Sequence, residues 1–260
     1  VSSGAEIVQS MDDEVNYTYF YNTYNSNPHA NLVCSESHLG SDGKTYITYF
    51  TFMHRNGKIL ALKETEVTVC ENKIISSKRN EYDTNYRLIA TFRGPTGMAN
   101  SSQFMIGNNG TNATEALINA INIPEYTYQY DGYGNLVEIS YKGFVLASYL
   151  WGYKGSHPIA EIKGVSFASV NSVLPEGMKP NQLKDRYDLT PNDLSTIRSS
   201  FPGNDVTTIT YDWLIGVGTM TDPRGVTTYF NYDDFGRLKD VKDFNGYFIR
   251  KYDYHYQNQN

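Results

Sequence analysis

The side chains that could perform acid–base or metal chemistry are scattered along the chain. The five histidines are not spaced as metal ligands, and neither Cys-x-x-Cys nor His-x-x-x-His occurs. They are His29, His38, His54, His157 and His255. The sequence also contains no nucleophile-elbow motif and no phosphate-binding glycine loop. It therefore predicts no metal site, no cofactor and no catalytic residues.

Acidic residues do occur in groups, such as Asp12-Asp13-Glu14 and Asp233-Asp234. A glycosidase needs two carboxylates about 5–9 Å apart, and spacing along a sequence cannot establish such a separation. A hydrolase without a recognisable motif is therefore one alternative. The principal prediction is that the chain is not an enzyme.

Aromatic residues are the one feature that could form a binding surface. The chain has 23 Tyr, 12 Phe and 2 Trp, so that aromatics make up 14% of it. Trp151, Tyr149, Tyr153 and Trp213 could stack on sugar rings, because flat apolar faces with polar rims suit carbohydrates. The alternative is that the tyrosine rings pack against each other along a sheet. The sequence leaves both interpretations open.

Composition limits the class of protein. The 260 residues carry a net charge of −6, which gives no electrostatic case for nucleic acid. No apolar run approaches the ~18 residues that span a bilayer, so no membrane-spanning segment is expected. With 40% hydrophobic and only 19% charged residues, the chain is not disordered throughout. Its richness in tyrosine favours β-strands.

A Tyr-Asp dipeptide recurs at the ends of alternating strand patterns, and its last three copies are 21 and then 20 residues apart. The copies are Tyr130-Asp131, Tyr211-Asp212, Tyr232-Asp233 and Tyr252-Asp253. Two of them continue into turns that contain Gly134 and Gly236. In such turns aspartate bonds to the nearby backbone and glycine supplies a positive φ. The unit of strand, tight turn, strand and tight turn predicts a meander of hairpins.

These turns carry a family resemblance. Residues 130–136 (YDGYGNL) and 232–238 (YDDFGRL) resemble the YD repeat of the Rhs family, with its Tyr-Asp-x-x-Gly-Arg/Asn-Leu core. Residues 221–227 (TDPRGVT) resemble its inter-repeat turn, and 149–153 with 158–162 resemble YD-repeat proteins of bacterial cell surfaces. The resemblance implies hairpins wound into a spiral sheet.

The resemblance further implies the C-terminal portion of a secreted or bacterial cell-surface protein. Its expected partners are the upstream part of the same polypeptide and a surface glycan or protein. The expected function is a non-catalytic structural and interaction module, with carbohydrate binding through exposed aromatics and the cryptic hydrolase as alternatives.

The chain departs from the long members of this family. It has too few repeats to close a shell around a cargo. Asp222-Pro223-Arg224-Gly225 is followed by Val226, whereas toxin-bearing members have Asp-Pro-x-Gly-Leu after their repeats. Cargo encapsulation and self-cleavage are therefore not expected.

The sequence predicts a mainly β fold, with Tyr-rich repeated β-hairpins in an extended, spiralling antiparallel sheet and a small helical insert. The predicted regions are an N-terminal β-rich part with candidate decayed repeats (1–122), YD-repeat hairpins (123–162), a helical insert (163–203), and tandem YD-repeat hairpins with a tail (204–260). The insert is predicted from the helical spacing of Leu194, Ile197 and Phe201 after a cap at Thr190.

The chain has two cysteines, Cys34 and Cys70. They could be two buried free thiols or one disulfide, and their number alone does not fix a redox compartment. The sequence leaves this pairing open.

Overall fold

A computed structural model of the chain describes residues 7–9, 15–20, 32–55, 58–71, 73–94, 124–212 and 214–255. The fold is mainly β and antiparallel, with three helices between two strands, which confirms the predicted fold class. The described strands are ordered as in the chain, each beside the next. The chain divides into two compact units, Val1–Thr127 and Tyr128–Asn260.

The first unit is a meander in which each strand pairs with the next. Its strands are β1 (Ile7–Gln9), β2 (Val15–Phe20), β3 (Leu32–Leu39), β4 (Thr45–Arg55), β5 (Lys58–Cys70), β6 (Lys73–Tyr82), β7 (Leu88–Arg93) and the start of β8 (Pro124–Tyr130). Its core is apolar residues at alternate strand positions, because successive side chains point to opposite faces. They are Val67, Val69, Ile74, Ala90 and Phe92.

The two cysteines lie too far apart for a disulfide. Cys70 is a buried free thiol. It pairs with Tyr46, whereas Ser35, directly after Cys34, pairs with Tyr49 on the other side of β4. The strands β3 and β5 lie on opposite sides of β4 and are therefore separated by more than about 9 Å. A disulfide needs Cα atoms within about 7 Å of each other. The register therefore supports the free-thiol interpretation, although the Cys34 side chain lies outside the described residues.

The second unit contains the end of β8 and the strands β9 (Leu136–Tyr141), β10 (Phe144–Gly152), β11 (His157–Lys163), β12 (Val206–Asp212), β13 (Gly216–Thr221), β14 (Thr227–Tyr232), β15 (Leu238–Lys242) and β16 (Phe248–Lys251). Between β11 and β12 lie the helices α1 (Phe167–Val173), α2 (Pro180–Lys184) and α3 (Pro191–Ser199). The insert is thus helical, as its periodicity predicts.

The helices pack on one face of β10, β11 and β12. Leu194, Ile197 and Phe201, the predicted helical stripe, are all buried there against Leu150 and Val206. The core also contains Tyr153, Ile159, Ala160, Ile162, Val170, Leu174, Met178 and Leu183. Helix and sheet stabilise each other, since neither apolar face would be covered alone.

Helix α3 is fixed at its start by an ion pair. The Thr190 Oγ1 accepts the Asp193 N–H, and Asp193 Oδ2 accepts the Thr190 N–H at 2.8 Å. Arg186 donates to both Asp193 carboxylate oxygens, at 2.9 and 2.8 Å. These bonds, Arg186 first, lower the pKa of Asp193 from 3.8 to about 2. The ionised carboxylate therefore stabilises the insert.

We expect Asp193→Asn to lower the free energy of unfolding by about 2 kcal/mol at pH 7, because the wild-type pKa lies almost two units below its usual value. A depressed carboxylate pKa stabilises the folded state above pH 4, and this contribution is lost as the pH falls towards 2. The difference between the two proteins should therefore shrink over that range in denaturant titrations.

The control is Asp188→Asn. Asp188 also pairs with Arg186 but has a side chain that is 82% exposed, so its loss should change stability little. An Asp193→Asn deficit that stayed constant from pH 7 to pH 2 would contradict the assignment.

Candidate interaction surface

A five-residue turn that begins with aspartate recurs in both units. It occurs at residues 83–87, 131–135, 222–226, 233–237 and 243–247. In each copy the aspartate N–H donates to the carbonyl four residues on, at 2.9–3.0 Å. The aspartate carbonyl accepts the N–H three residues on, at 2.9–3.1 Å. The same main-chain geometry therefore closes these five hairpins, and it also closes the described hairpin at 40–44, which begins with Gly40.

The aspartate carboxylate holds the turn by accepting further N–H groups. Oδ1 of Asp233 accepts the N–H of Phe235 at 2.9 Å and that of Arg237 at 3.0 Å, while Oδ2 accepts from Arg237 Nε at 2.8 Å. Arg237 is the main reason why the pKa of Asp233 lies below its ordinary value. Asp83 and Asp131 accept the same two main-chain bonds in their turns.

The fourth residue of the turn has a left-handed backbone. It is glycine in four copies, with φ between 71° and 91°. They are Gly134, Gly225, Gly236 and Gly246. In the turn at 83–87 this position is Tyr86, at φ 64°. The turn after Tyr82 thus has the geometry of the repeat without its glycine.

Gly236→Ala should lower the free energy of unfolding by about 1 kcal/mol, because an L-residue is strained at φ +71°. The matched control is Gly132→Ala. Gly132 lies in the equivalent hairpin turn, does not have a positive φ, and has open space around it, so alanine should be neutral or slightly stabilising there. Equal effects of the two substitutions on thermal unfolding would refute the role of the left-handed position.

Two predicted repeat aspartates do not start this turn. At Asp212 the Ile215 N–H also donates to the aspartate carbonyl, at 3.0 Å, but the left-handed residue is Leu214 (φ 66°), at the third position of the turn instead of the fourth. Asp212 pairs directly with Gly216. Asp253 follows β16 in an exposed, irregular segment.

Aromatic side chains link several hairpins to the strand before them. In five places a Tyr hydroxyl or Trp N–H donates to a main-chain carbonyl of the preceding strand, at 2.8–3.0 Å. We call these cross-strand aromatic bonds. They join Tyr82 to Lys63, Trp151 to Leu136, Tyr211 to Pro158, Tyr232 to Val217, and Tyr254 to Leu238.

Most of the acceptors lie at β-bulges. At four of the five, a register shift leaves one extra residue directly after the acceptor. These extra residues are Glu64, Ile159, Gly218 and Lys239. A bulge disturbs the ladder locally, and a main-chain carbonyl left without a ladder partner needs another donor. The aromatic side chain supplies that donor.

The tyrosine hydroxyls are suited to this role. Burial raises the pKa of Tyr82, Tyr211 and Tyr232, so that they stay protonated and donate. A Cβ at Gly216 would overlap the Tyr232 hydroxyl group. Glycine at 216 therefore makes room for this bond.

In three of the Tyr-Asp dipeptides, the residue before the tyrosine forms a polar pair with a residue of the following strand. The pairs are Gln129 with Glu138, Thr210 with Thr219, and Asn231 with Asp240, at 2.7–2.8 Å. Glu138 and Asp240 are buried, and such a carboxylate needs hydrogen-bond donors. Glu138 also accepts the Phe167 N–H at 2.7 Å, which fixes α1 to the sheet.

The three predicted carbohydrate residues that the structure describes, Tyr149, Trp151 and Tyr153, do not form one exposed platform. Tyr153 is only 3% exposed and lies in the core, where its ring contacts those of Tyr211 and His157. Trp151 and Tyr149 are half-buried, and the Tyr149 hydroxyl lies 3.4 Å from Glu161 Oε1. Trp213 lies outside the described residues.

Exposed apolar side chains occur instead at the tips of turns. Tyr133, Leu214 and Phe235 are 67–86% exposed and belong to the β8–β9, β12–β13 and β14–β15 turns. Alternate turns of a meander lie at the same end of its strands. We call these three residues the turn-tip surface. Lys184 Nζ lies 3.7 Å from the centre of the Tyr133 ring.

Sequence reasoning missed the turn-tip surface and the role of the tyrosine hydroxyls. The signal for two of the three tips was the aromatic residue two positions after the turn aspartate, and at the third tip this position is Leu214. Across the described part of the chain, no group of three or more His, Cys, Asp or Glu side chains could hold a metal ion. None of the described helices has the length and hydropathy to cross a membrane.

No protein-family model matches the chain, and no curated protein matches it. Similar solved structures include the TcdB2-TccC3-Cdc42 crystal structure, with 9% identity, a TM-score of 0.43, and coverage of 92% of this chain but 13% of that chain. The Tc holotoxin pore of Photorhabdus luminescens has 12% identity, a TM-score of 0.33, and coverage of 95% and 14%. S. aureus TarM has 9% identity, a TM-score of 0.19, and coverage of 66% and 23%. The family resemblance therefore rests on the Tyr-Asp turns themselves.

Proposed function

We propose that the chain is a non-catalytic structural and interaction module of a secreted or cell-surface YD-repeat protein. The observation that carries this proposal is the recurrence of one device: an aspartate turn followed or preceded by a cross-strand aromatic bond. The device occurs in both units and joins neighbouring strands. Its carboxylates and hydroxyls bond the main chain, so these polar groups serve the shape of the sheet.

A serine–histidine contact in the second unit fits the same interpretation. Ser156 Oγ lies 2.7 Å from His157 Nδ1, an arrangement that could suggest a nucleophile and its base. The Ser156 hydroxyl, however, donates to the Tyr153 carbonyl. The His157 ring packs on Tyr211, with centroids 4.4 Å apart. The pair therefore closes the turn after β10.

The interaction part of the proposal rests on the turn-tip surface. A group of large apolar side chains that stays exposed at one end of a sheet marks a site for a partner. Tyr133, Leu214 and Phe235 have this exposure. Secretion or display at a cell surface is proposed from the family resemblance.

Tyr232→Phe tests the structural part. The substitution keeps the ring and removes the hydroxyl that donates to the Val217 carbonyl at 3.0 Å. We expect the free energy of unfolding to fall by about 1 kcal/mol in urea titrations. The control is Tyr229→Phe, on the same strand, where the side chain is 42% exposed. If both variants matched the wild type, the hydroxyl would not hold the hairpins together.

Carbohydrate binding is the second candidate function. Strand alternation puts Tyr149 and Trp151 on the face opposite Leu150, which is buried under the helices. Glu161 pairs with Tyr149 and adds a carboxylate beside its ring. An aromatic ring with a carboxylate at its rim is a combination that sugars bind.

Binding to an array of bacterial and host polysaccharides, read with tryptophan fluorescence, tests this candidate. A saturable hit should shift the emission and weaken by about tenfold or more in Trp151→Phe, since the smaller phenyl ring offers less surface for stacking on a sugar. Tyr133→Ser is the matched control, because it alters an exposed aromatic at the turn-tip surface. A hit that Tyr133→Ser abolished and Trp151→Phe preserved would place the sugar at the turn tips instead.

A further inference from the structure

Strand β16 is the last strand of the second unit that the structure describes. All four of its residues are exposed, with Phe248 and Ile249 each at 60%. On its inner side β16 pairs only with β15, through Val241↔Arg250 and Asp240↔Lys251. Among the described residues no strand pairs with its outer side. An exposed apolar edge of this kind is a template for another strand.

The main-chain donor on the open edge can be assigned. The Tyr252 N–H donates to the Lys239 carbonyl of β15 at 2.9 Å. Because successive N–H groups of a strand point to opposite sides, the Lys251 N–H points to the open edge. An incoming strand would therefore accept a hydrogen bond from Lys251.

The open edge also repeats the acceptor geometry found inside the sheet. Leu238 follows an aspartate turn, Lys239 after it is the extra residue of a bulge, and the Leu238 carbonyl accepts the hydroxyl of Tyr254. Phe248 follows the aspartate turn at 243–247, and Ile249 is the extra residue after it. The Phe248 carbonyl is therefore placed to accept an aromatic donor from a strand beyond β16.

We propose that β16 docks an extended strand of another polypeptide, antiparallel to β16, with a tyrosine whose hydroxyl donates to the Phe248 carbonyl. This inference rests on the interaction role proposed above and names the partner chemistry of one edge. We infer this occupant from the strands already in the sheet. β14 pairs with β15, and β15 with β16, in the same antiparallel way. Main-chain bonds supply affinity and the tyrosine sets the register.

The probe is a fluorescein-labelled peptide of residues 227–237 of this chain, TTYFNYDDFGR, which contains a strand and the Tyr232-Asp233 turn. We expect saturable binding to the purified chain by fluorescence anisotropy. The same peptide with Tyr232→Phe should bind about fivefold more weakly, since it lacks one hydrogen bond.

Two variants of the chain locate the edge. Lys251→Pro removes the outward N–H and should weaken peptide binding by at least about tenfold. Lys251→Ala is its matched control, because it removes the charge and keeps the N–H, and it should bind like the wild type. Hydrogen exchange of the Lys251 amide in the wild-type chain gives a second readout that needs no variant: the peptide should slow it.

Several outcomes would overturn the proposal. One is that the peptide does not bind to the wild-type chain. Another is that Lys251→Pro binds the peptide as tightly as the wild type and the peptide does not slow exchange of the Lys251 amide. The third is that the Tyr and Phe peptides bind with equal affinity, which would exclude the hydroxyl from the docking. A dimer of the wild-type chain that Lys251→Pro abolishes, without peptide binding, would assign the edge to a second copy instead. The Tyr232→Phe unfolding measurement on the chain is independent of these results, so failure of the docking is distinguishable from failure of the proposed module.

Discussion

The structure depends on the aspartate carboxylate that accepts main-chain N–H groups within its own turn. A hairpin turn exposes N–H groups that have no ladder partner, and a buried or half-buried group without a partner is costly. Asp83, Asp131, Asp233 and Asp243 each provide Oδ1 for two such groups. Because the turn fixes where the next strand begins, it also fixes the register of that strand.

A fixed turn would leave neighbouring hairpins free to slide if nothing crossed between them. The cross-strand aromatic bonds supply that connection. A bulge presents a carbonyl at one defined residue, and only a ring of the right length at one position of the next strand can reach it. Trp151 makes the same kind of bond to the Leu136 carbonyl with an indole N–H, where other hairpins use a hydroxyl. The requirement is therefore a donor at the end of a flat aromatic side chain, and not tyrosine as such.

Much of this architecture could be predicted from the sequence, because it is encoded locally. Gly134 and Gly236 indicate left-handed turn positions, and the spacing of Leu194 and Ile197 indicates a buried helix face. The tyrosine hydroxyl bonds could not be predicted, since they depend on bulges whose position appears only when two strands are paired. For the same reason Tyr153 is predicted as a surface ring from the sequence, whereas it is buried by helices that begin 14 or more residues later in the chain.

Which polar groups bond the main chain and which groups stay exposed bears on function. The turn carboxylates, the tyrosine hydroxyls and the buried amide–carboxylate pairs are engaged in holding the main chain. The groups left for a partner are of two kinds: the exposed apolar tips, such as Phe235, and the main-chain donors and acceptors of β16. Both are properties of repeated hairpins and neither requires a specialised pocket. In the module proposed here, such a sheet recognises another chain by the same pairing that builds it, and the outer side of β16 is where we place its specificity.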